Sequence, residues 1–585
     1  MSFAGLRAER QSKQSKSFVN AGPKDTAASA DQSKALIPTT GANASGGRGS
    51  SEPLYRVLPA SVDIRSTTEN GRGIWAIRPM HAGEIIFQTK PHIHVLSTKN
   101  LEHFCSSCVS PAPATGLKRC TRCRVLWYCS ASCQNSDWAL HKQECSAMQR
   151  WAAGAPSPDV AIPAEPIRCL GRVLWWKQKQ GLQSAWAREL DGMQSHRTNL
   201  PPSATESHTH LAHAVIRYLG LNAPGELGAF GITTAADIVD VISRFATNSI
   251  TMTSPSLTPL GVFVSPPVAL INHSCEPNAV VVFPRSSSNL AAQEPLTQVV
   301  ALREIAVDEQ IFTAYIDTTL PFSQRQQALA ATYSFTCNCT LCSKYPRIDP
   351  RESIWCPKSC GGTCTFPSEE DPLTRCVKCG SAVPSTDSIL DAIRIGQEAL
   401  EKATTVQFND LEKALQLTTN IIPILTSHKL LPSSHPLLAL TRLHQSLLLA
   451  SFPPNLTQEA LDNVIRATSA SVTGISELLC RGHPIRALAL AELGKLLAVD
   501  EPSPRDSKTN TVFPPSGPAR LRLAYETLVQ AHNELKIGFG EENEGGEVGH
   551  EIREMAVRVE KELAVWKQGV KNVIEDTPKP KSGKR

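Results

Sequence analysis

Cysteine and histidine side chains are concentrated between residues 105 and 145, with the spacing of metal ligands. The ligand-type residues in this stretch are Cys105, Cys108, Cys120, Cys123, Cys129, Cys133, His141 and Cys145. Zinc prefers four thiolate or imidazole ligands in a tetrahedron, and short loops between paired ligands set that geometry. Eight ligands suit two closed zinc sites, which are typically structural rather than catalytic. Spacing alone leaves both sequential and interleaved pairing open.

A second polar cluster follows a short apolar run at residues 268–271. Asn272, His273 and Cys275 come directly after this run, and Glu276-Pro277-Asn278 is a turn signal. Buried polar groups need partners, so the cluster must meet either other protein groups or a ligand. Taken alone, the segment favours a strand that ends in a polar turn, with Cys275 in the core.

Two more groups of cysteines lie downstream. Cys337, Cys339 and Cys342 supply three metal ligands, and Cys275 is the best donor of the fourth. The other group has the spacing of a zinc ribbon and consists of Cys356, Cys360, Cys376 and Cys379, with Cys364 between them. Two interpretations of the ribbon stay open: a fourth zinc site, and a decayed or reduced cluster. Cys169 and Cys480 stand apart from these groups, and we expect both to be buried as small apolar side chains.

Length and composition bound the class of protein. The chain has 585 residues and a mass of 63.4 kDa, enough for roughly two to four domains. A net charge of +5 is too mild to indicate nucleic-acid binding. No apolar run is long enough to span a membrane, and the first residues lack the apolar core of a secretory signal. The 18 cysteines therefore indicate intracellular metal binding rather than disulfides.

The elements that position these residues follow from apolar periodicity and from breaks rich in Gly and Pro. Strands are predicted at 55–58, 62–65, 85–87, 279–283, 298–302 and 310–315. Helices are predicted at 170–190, 211–218 and 235–245. Gly71 and Gly73 allow a tight turn and a close backbone approach to a ligand. Residues 1–50 have little apolar content and are predicted to be disordered.

The last third of the chain is predicted to be all helical. Its helical segments are 388–402, 408–427, 436–451, 457–480, 484–498, 517–535 and 549–567, separated by Pro, Gly and Ser breaks. Paired antiparallel helices of this length suggest an α-solenoid, although no 34-residue consensus is present. A lid that serves stability alone and a partner-binding domain are both compatible with this pattern.

The order of the motifs resembles the SET-and-MYND family of protein lysine methyltransferases. The segments that carry the resemblance are 71–73, 82–84, 272–278, 315–317 and 335–342, the cysteine-rich stretch 105–145, and Ser195-His196. The resemblance implies an α+β multidomain protein, in which a β-rich SET domain is split by a MYND zinc finger and followed by an all-α, TPR-like C-terminal domain. That helical domain would form one wall of a substrate cleft.

The resemblance and the composition together predict the domain boundaries. They are a disordered tail at 1–50, the N-terminal part of the SET domain at 54–104, the MYND finger at 105–145, a helical SET insert and linker at 146–245, the C-terminal catalytic part of the SET domain at 246–336, a post-SET and Cys-rich segment at 337–385, the TPR-like helical domain at 386–567, and a basic tail at 568–585.

The resemblance also implies the ligands. S-adenosylmethionine would be the methyl donor, bound by Arg72, Gly73, Asn248, Asn272, His273, Tyr315 and Phe335. Tyr315 would be the catalytic residue, beside the methyl group and the target amine. The finger would hold one zinc on Cys105, Cys108, Cys129 and Cys133, and another on Cys120, Cys123, His141 and Cys145. A third zinc would bind Cys275, Cys337, Cys339 and Cys342. Ile250 departs from the family, which often has Phe at that position.

Three functional hypotheses follow. The first is an S-adenosylmethionine-dependent enzyme that methylates lysine in histone or non-histone proteins. The second is a catalytically weak or silent adaptor that binds partner proteins through the finger, whose relatives often take proline-rich peptides, and through the helices. The third, a nucleic-acid-binding zinc protein, ranks last because the finger lacks a separate recognition helix. We expect a monomer without membrane contact, in the nucleus, the cytoplasm or both.

Overall fold

The computed structural model describes residues 54–285, 294–343, 349–368, 373–452, 456–503 and 513–576. The predicted tail at 1–50 and the last residues of the predicted basic tail, 577–585, lie outside these ranges. Within them, no helix has the length and apolar character needed to cross a membrane.

The strands are short and are, in order, β1 (Val62–Thr67), β2 (Gly71–Ala76), β3 (Ile85–Thr89), β4 (Ile93–Leu96), β5 (Lys118–Arg119), β6 (Trp127–Tyr128), β7 (Ser249–Thr253), β8 (Pro259–Val264), β9 (Asn272–His273), β10 (Ala279–Val282), β11 (Thr297–Ala301), β12 (Phe312–Thr313), β13 (Ser353–Trp355) and β14 (Thr363–Thr365).

The helices are α1 (Ala131–Ala153), α2 (Glu165–Gln180), α3 (Ala185–Asp191), α4 (Pro202–Leu219), α5 (Ala235–Asn248), α6 (Pro266–Ala269), α7 (Phe322–Tyr333), α8 (Thr340–Ser343), α9 (Thr386–Val406), α10 (Leu411–Ser427), α11 (His435–Ala450), α12 (Gln458–Leu478), α13 (Pro484–Leu497), α14 (Pro518–Phe539) and α15 (Gly546–Asp576). The predicted fold class, α+β with a helical C-terminal region, is confirmed.

The β-rich part consists of small sheets. Strands β10, β11 and β3 form one antiparallel sheet, and β4, β8 and β7 form another. Strand β11 is buried along its whole length, as a strand covered on both faces must be. Val299 packs in the core of the β-rich part, whereas Val300 packs in the core of the helical domain. This sheet therefore joins the two halves of the chain.

Helix α1 carries the last three ligand residues of the zinc finger, and α2 to α5 pack beside the finger and share its core. Buried cysteines of the finger, apolar residues of α2 and α4, and Phe263 on β8 belong to one apolar cluster. Helix α5 begins at a capping box, in which the Thr234 side chain accepts from the Asp237 N–H and the Asp237 carboxylate accepts from the Thr234 N–H. It ends at Asn248, and β7 starts at the next residue.

The C-terminal helices lie close to their predicted positions. The main difference is at the end, where α15 continues to Asp576 and thus past the predicted limit of 567. Close approaches between neighbouring segments of this domain occur at glycines. A Cβ at Gly474 on α12 would lie 2.2 Å from the Pro432 carbonyl oxygen, and one at Gly494 on α13 would lie 2.7 Å from Leu528 on α14. The helical breaks in the sequence identified this domain because Pro and Gly end helices for local reasons.

Several local predictions were wrong. Residues 55–58 form a turn, closed by the Leu58 N–H to the Tyr55 carbonyl, because Pro59 follows and cannot donate to a sheet ladder. Residues 268–271 are the end of the short helix α6 and a turn rather than a strand. The predicted helix 170–190 is two helices, α2 and α3, separated at Gly181, where φ is +96°. In the predicted strand 310–315, only Phe312 and Thr313 form a strand, β12, while Gln310 makes an isolated antiparallel bridge to Trp75.

Candidate functional site

The polar cluster after residue 271 is organised by pairing between two very short strands. β9 pairs in parallel with β12, which sets Asn272 opposite Phe312 and His273 opposite Thr313. The chain after β12 then passes over His273, and the Tyr315 N–H donates to His273 Nδ1 at 3.0 Å. The Tyr315 hydroxyl donates to the Ile271 carbonyl at 2.7 Å. Two segments about forty residues apart in sequence thus bring Tyr315 and His273 together.

Asn278 fixes the start of β12 and is fully buried. Its amide Nδ2 donates to the Gln310 carbonyl at 2.8 Å, and its Oδ1 accepts from the Phe312 N–H at 2.7 Å. A side-chain amide that uses both its donor and its acceptor on a neighbouring backbone specifies the register of that backbone. The Pro277-Asn278 turn signal in the sequence pointed to a turn, not to this contact.

The glycine hairpin β1–β2 docks against the same cluster. Asn272 Nδ2 donates to the carbonyls of Asn70 and Arg72 at 3.1 and 3.0 Å. A Cβ at Gly73 would lie 2.3 Å from Gln310 Nε2 and 2.9 Å from Asn272 Nδ2, so only glycine fits. The Arg72 guanidinium donates to the carbonyl of Gly192, after α3. Both donor hydrogens of Asn272 are thus used within the chain, and its Oδ1 remains as an acceptor.

Asn248 has a similar arrangement at the junction of α5 and β7. Its Nδ2 donates to the carbonyls of Gln194 and Arg244 at 2.8 and 2.7 Å. The side chain is mostly buried and lines a cleft. The predicted motif Ser195-His196 ties the same segment to α5, since the Ser195 hydroxyl donates to Asp240 at 2.6 Å. Segment 192–194 was not predicted as part of the site, because it contributes main-chain carbonyl groups, which no sequence motif distinguishes.

Aromatic rings surround Tyr315. Its ring centroid lies 5.4 Å from that of His273 and 4.8 Å from that of Tyr333, and Phe335 lies 6.1 Å from His273. Phe335 is half-buried, so part of its ring is available to a ligand. The His273 ring is occupied, because Nδ1 accepts from Tyr315 and Nε2 lies 3.3 Å from Cys275 Sγ. Any ligand contact of His273 must therefore use its main chain.

A cleft of about 320 Å³ opens beside these residues. Its walls come from β7, from the loop after β12 and from the start of α13, and its lining includes Asn248, Ile250, Tyr315, Tyr333 and His483. His483 and Tyr333 were not predicted as lining residues. His483 reaches the cleft only through packing of the helical domain, which local sequence patterns do not report.

Burial favours the neutral forms of three side chains in the cleft, Tyr315, Tyr333 and His483. Burial raises the pKa of the Tyr315 phenol, and the neighbouring Tyr333 raises it further. Burial lowers the pKa of His483 from 6.5 to about 4, against a smaller opposing effect of Asp317. His483 Nδ1 also accepts from the Ile485 N–H at 3.2 Å and so caps α13. Protonated phenols and a neutral imidazole therefore face the cleft near neutral pH.

Four clusters of ligand-type side chains have the dimensions of zinc sites. In each, the ligand atoms lie within 4.8 Å of one another; the sets are Cys105, Cys108, Cys129 and Cys133; Cys120, Cys123, His141 and Cys145; Cys275, Cys337, Cys339 and Cys342; and Cys356, Cys360, Cys376 and Cys379. A tetrahedron with zinc–sulfur bonds of about 2.3 Å separates its sulfur atoms by roughly 3.8 Å. Six pairs of sulfur atoms within the clusters lie 3.5 to 3.9 Å apart, which fits this geometry. All the cysteines are free of disulfides.

The pairing in the finger is interleaved, as the resemblance implied, and Cys275 completes the third cluster. The fourth cluster, which the sequence left open, is gathered around the β13–β14 hairpin. Cys364 is fully buried beside it but is not one of the four ligands. Cys169 is buried as expected, whereas Cys480 is exposed, contrary to expectation, because it lies in the turn between α12 and α13.

The second cluster is supported by a buried ionic network. His141 Nε2 lies 3.4 Å from Cys120 Sγ, while Nδ1 donates to Glu144 at 3.2 Å. Arg172 on α2 donates to Glu144 at 2.5 Å and to Asp137 at 3.2 Å. A carboxylate on the outer nitrogen of a ligating histidine fixes the tautomer that coordinates metal. The network therefore also attaches the finger to α2.

Comparisons with known proteins agree with the motifs. The family model of the MYND finger matches residues 105–145. The chain is 30% identical over 292 residues to "N-lysine methyltransferase SMYD2-A" of Xenopus laevis, covering 49% of this chain and 61% of that protein. It is 31% identical over 277 residues to "N-lysine methyltransferase SMYD2" of Rattus norvegicus, covering 47% and 58%. The match thus spans about three fifths of the length of these relatives.

A further relative is "Histone-lysine N-methyltransferase SMYD3" of Homo sapiens, at 27% identity over 301 residues, covering 51% of this chain and 66% of that protein. Among solved structures, "Crystal structure of the SET domain of LSMT bound to Lysine and AdoHcy" aligns with a TM-score of 0.24 at 13% identity, over 87% of this chain and 89% of that chain. A TM-score this low does not establish a shared fold.

Purified protein should contain four zinc ions per chain, one for each cluster. Cys379→Ser should lower the count to three, because loss of one thiolate opens the fourth tetrahedron. Cys480→Ser, which removes an exposed cysteine outside the clusters, is the matched control and should keep four. Elemental analysis of the wild type and both variants measures this, and three ions in the wild type would contradict the fourth site.

Acidification should destabilise the helical domain partly through His483. Its pKa in the folded state is about 4, below the ordinary 6.5, so stability is present above pH 6.5 and is lost as pH falls towards 4. His483→Asn keeps a capping acceptor for α13 and removes the titration. Between pH 7.5 and 5 the variant should lose less stability than the wild type, by on the order of 1–2 kcal/mol.

Thermal melting at the two pH values measures this difference. His210→Asn, at an exposed histidine on α4, is the control and should follow the wild type. Equal losses in the wild type and His483→Asn would show that His483 does not contribute.

Proposed function

Because the chain is related to the SET and MYND domain methyltransferases, we propose that it transfers a methyl group from S-adenosylmethionine to the side-chain amine of lysine in protein substrates, histone or non-histone. The single observation that carries this proposal is the cleft, which Tyr315 lines together with Asn248, Tyr333 and His483, and where the Tyr315 hydroxyl is oriented by the Ile271 carbonyl. The methyl acceptor would be a lysine side chain that enters the cleft between β7 and the helical domain.

The residues present fit the methyl donor. Asn248 and Asn272 each keep a free Oδ1 acceptor, suited to ammonium and amino hydrogens, while their Nδ2 donors are used within the chain. Gly73 lets the β2 backbone approach the Asn272 amide closely, and the half-buried Phe335 ring offers a stacking face for a purine. Arg72, Gly73, Asn248, Asn272, His273, Tyr315 and Phe335 remain our proposed binding set. When bound, the donor supplies an electrophilic methyl group on a sulfonium.

We propose that Tyr315 acts through its hydroxyl oxygen, which is neutral and held in a fixed orientation. Its hydrogen is committed to the Ile271 carbonyl, so its lone pairs are left for the cleft. We propose that these oxygen lone pairs accept weak C–H···O contacts from the methyl group and so orient it. Because burial raises its pKa, Tyr315 stays protonated and does not serve as the base. Alignment of amine and methyl at near-attack distance supplies the main rate enhancement.

The cleft is proposed to favour the reactive, neutral form of lysine. Burial in an apolar channel lowers the pKa of an ammonium, because its charged form loses solvation. Asp317 is the carboxylate among the described lining residues, and its Oδ1 already accepts from the Thr319 N–H and hydroxyl at 2.8 and 2.7 Å. We therefore propose that solvent takes the amine proton.

The predicted domain boundaries remain part of the proposal, with the SET portions at 54–104 and 246–336 and the helices from 386 in a TPR-like arrangement. The finger is proposed as a protein-interaction module that accepts proline-rich peptides. Trp127 is half-buried with the Arg119 guanidinium 5.5 Å from its ring, whereas Tyr128 is core. We also propose that the protein is a monomer in the nucleus, the cytoplasm or both.

Calorimetry with S-adenosylmethionine, followed by labelled methyl transfer to nuclear and cytosolic extracts, tests the proposal. Binding together with methyl-lysine identified by mass spectrometry would support the enzyme. Absence of donor binding by the fully zinc-loaded wild type would overturn it in favour of the silent adaptor.

Tyr315→Phe should keep donor affinity but lower turnover by roughly 10²-fold, because it removes the oriented oxygen and its anchor on Ile271. Donor affinity is measured by calorimetry and turnover by labelled methyl transfer. Tyr525→Phe, on α14 in the helical domain, is the matched control and should behave like the wild type. Full activity of Tyr315→Phe would remove Tyr315 from the mechanism.

A further inference from the structure

The floor of the cleft continues from Tyr315 into a loop, 317–320, that two buried arginines hold from behind. Arg351 Nε donates to the Thr318 carbonyl at 2.8 Å, and Arg325 Nη1 donates to the Leu320 carbonyl at 2.5 Å. Arg325 and Arg351 are 1% and 4% exposed. Because neither guanidinium faces the cleft, both act on the main chain of the loop.

One carboxylate serves both arginines. Asp349 Oδ1 accepts from Arg351 Nη1 at 2.9 Å and from the Arg351 N–H at 3.0 Å, and Oδ2 lies 3.8 Å from Arg325 Nη1. Buried charges persist only when paired. Glu352 is a second, partly buried carboxyl group within electrostatic reach of both arginines. The Arg325 guanidinium also lies beside the thiols of Cys275 and Cys342. Four thiolates around a divalent ion would carry a formal charge of about −2, which would add countercharge beside Arg325.

The helical domain anchors the other side of the cluster. The Ser353 hydroxyl donates to the Asp349 carbonyl at 2.6 Å, and the Ser433 hydroxyl donates to the Pro350 carbonyl at 3.2 Å. The Ser434 hydroxyl donates to the Ser353 carbonyl. Segment 349–353 is therefore fixed by the start of α11 at one side and by the third metal cluster at the other.

We propose that Arg325, Asp349 and Arg351 form a positioning cluster that fixes the acceptor side of the cleft. The cluster holds the carbonyls of Thr318 and Leu320, and through them the backbone that runs from Tyr315 along the floor. Its effect on turnover rests on the proposed methyl transfer, but its effect on the order of the loop does not. The Nδ2 groups of Asn248 and Asn272 are held by other segments, at Gln194, Arg244, Asn70 and Arg72, so we expect the cluster to act mainly on the acceptor.

Arg351→Lys keeps the positive charge at this position but removes the planar hydrogen-bonding geometry of the guanidinium. Lysine keeps a cation beside Asp349, but it is a point charge and does not reproduce the fixed fork that reaches Thr318 and Asp349 together. The matched control is Arg394→Lys on the exposed face of α9, where Arg394 pairs with Asp391 and Glu398. Asp349→Asn is a second variant of similar size that removes the shared charge.

Four measurements test the cluster: zinc content, donor affinity, amide hydrogen exchange and steady-state kinetics. Arg351→Lys should keep four zinc ions and wild-type affinity for S-adenosylmethionine, while amide hydrogens of residues 317–320 exchange faster. For a substrate protein, kcat/KM should fall roughly tenfold, with KM raised, because the acceptor side is less well positioned. Asp349→Asn should change exchange and KM in the same direction, and Arg394→Lys should match the wild type.

The outcomes separate this proposal from the proposed function. Exchange at 317–320 like the wild type, or kcat/KM within twofold of it, would overturn the positioning role. Loss of zinc or of donor affinity in Arg351→Lys would also overturn it, since the cluster would then be structural. If the wild type methylates no protein, the proposed function fails, while faster exchange confined to 317–320 in both variants would still support the loop contact.

Discussion

The pairing of β9 with β12 is the constraint on which the candidate site depends. Two residues on each side suffice to set His273 beside Tyr315, and the Asn278 side chain fixes the register of the partner segment. At this pairing, the Asn272 side chain donates a hydrogen bond to the glycine hairpin, and the nearby Cys275 is a member of the third metal cluster. A ladder this short is marginal alone. The side-chain amides and the metal ligands on either side therefore specify the site more than the strands do.

A structural feature could be predicted from the sequence when it depends on interactions between residues that are close together in the chain. Metal ligands come in short, regular spacings, so the finger ligands and the later cysteine groups were identified, and only the pairing needed a resemblance or coordinates. Helix ends are set by nearby Pro and Gly, so the C-terminal helices were placed closely. Tyr315 was singled out from its motif, but its predicted strand was too long, because the pairing partner of Phe312 lies far away in sequence and pairs with two residues only.

The parts that escaped prediction are long-range contacts. His483 enters the cleft because the helical domain packs against the β-rich part. Gly192 and Gln194 matter through carbonyl groups, which every residue has and no motif records. Arg325 and Arg351 are ordinary basic residues in the sequence, and only burial against the loop after Tyr315 distinguishes them. The difficulty is thus one of sequence separation, not of unusual chemistry.

Strand β11 has a consequence for how the chain folds. Because Val299 belongs to one core and Val300 to the other, neither half can complete its apolar interior without the same five-residue strand. A shared strand makes the unfolding of the two halves cooperative, although linkers and composition divide the sequence into separate domains. Truncation before the helices would leave an apolar sheet face in water, and such faces promote aggregation. The unit that folds is therefore larger than either domain that the motifs delimit.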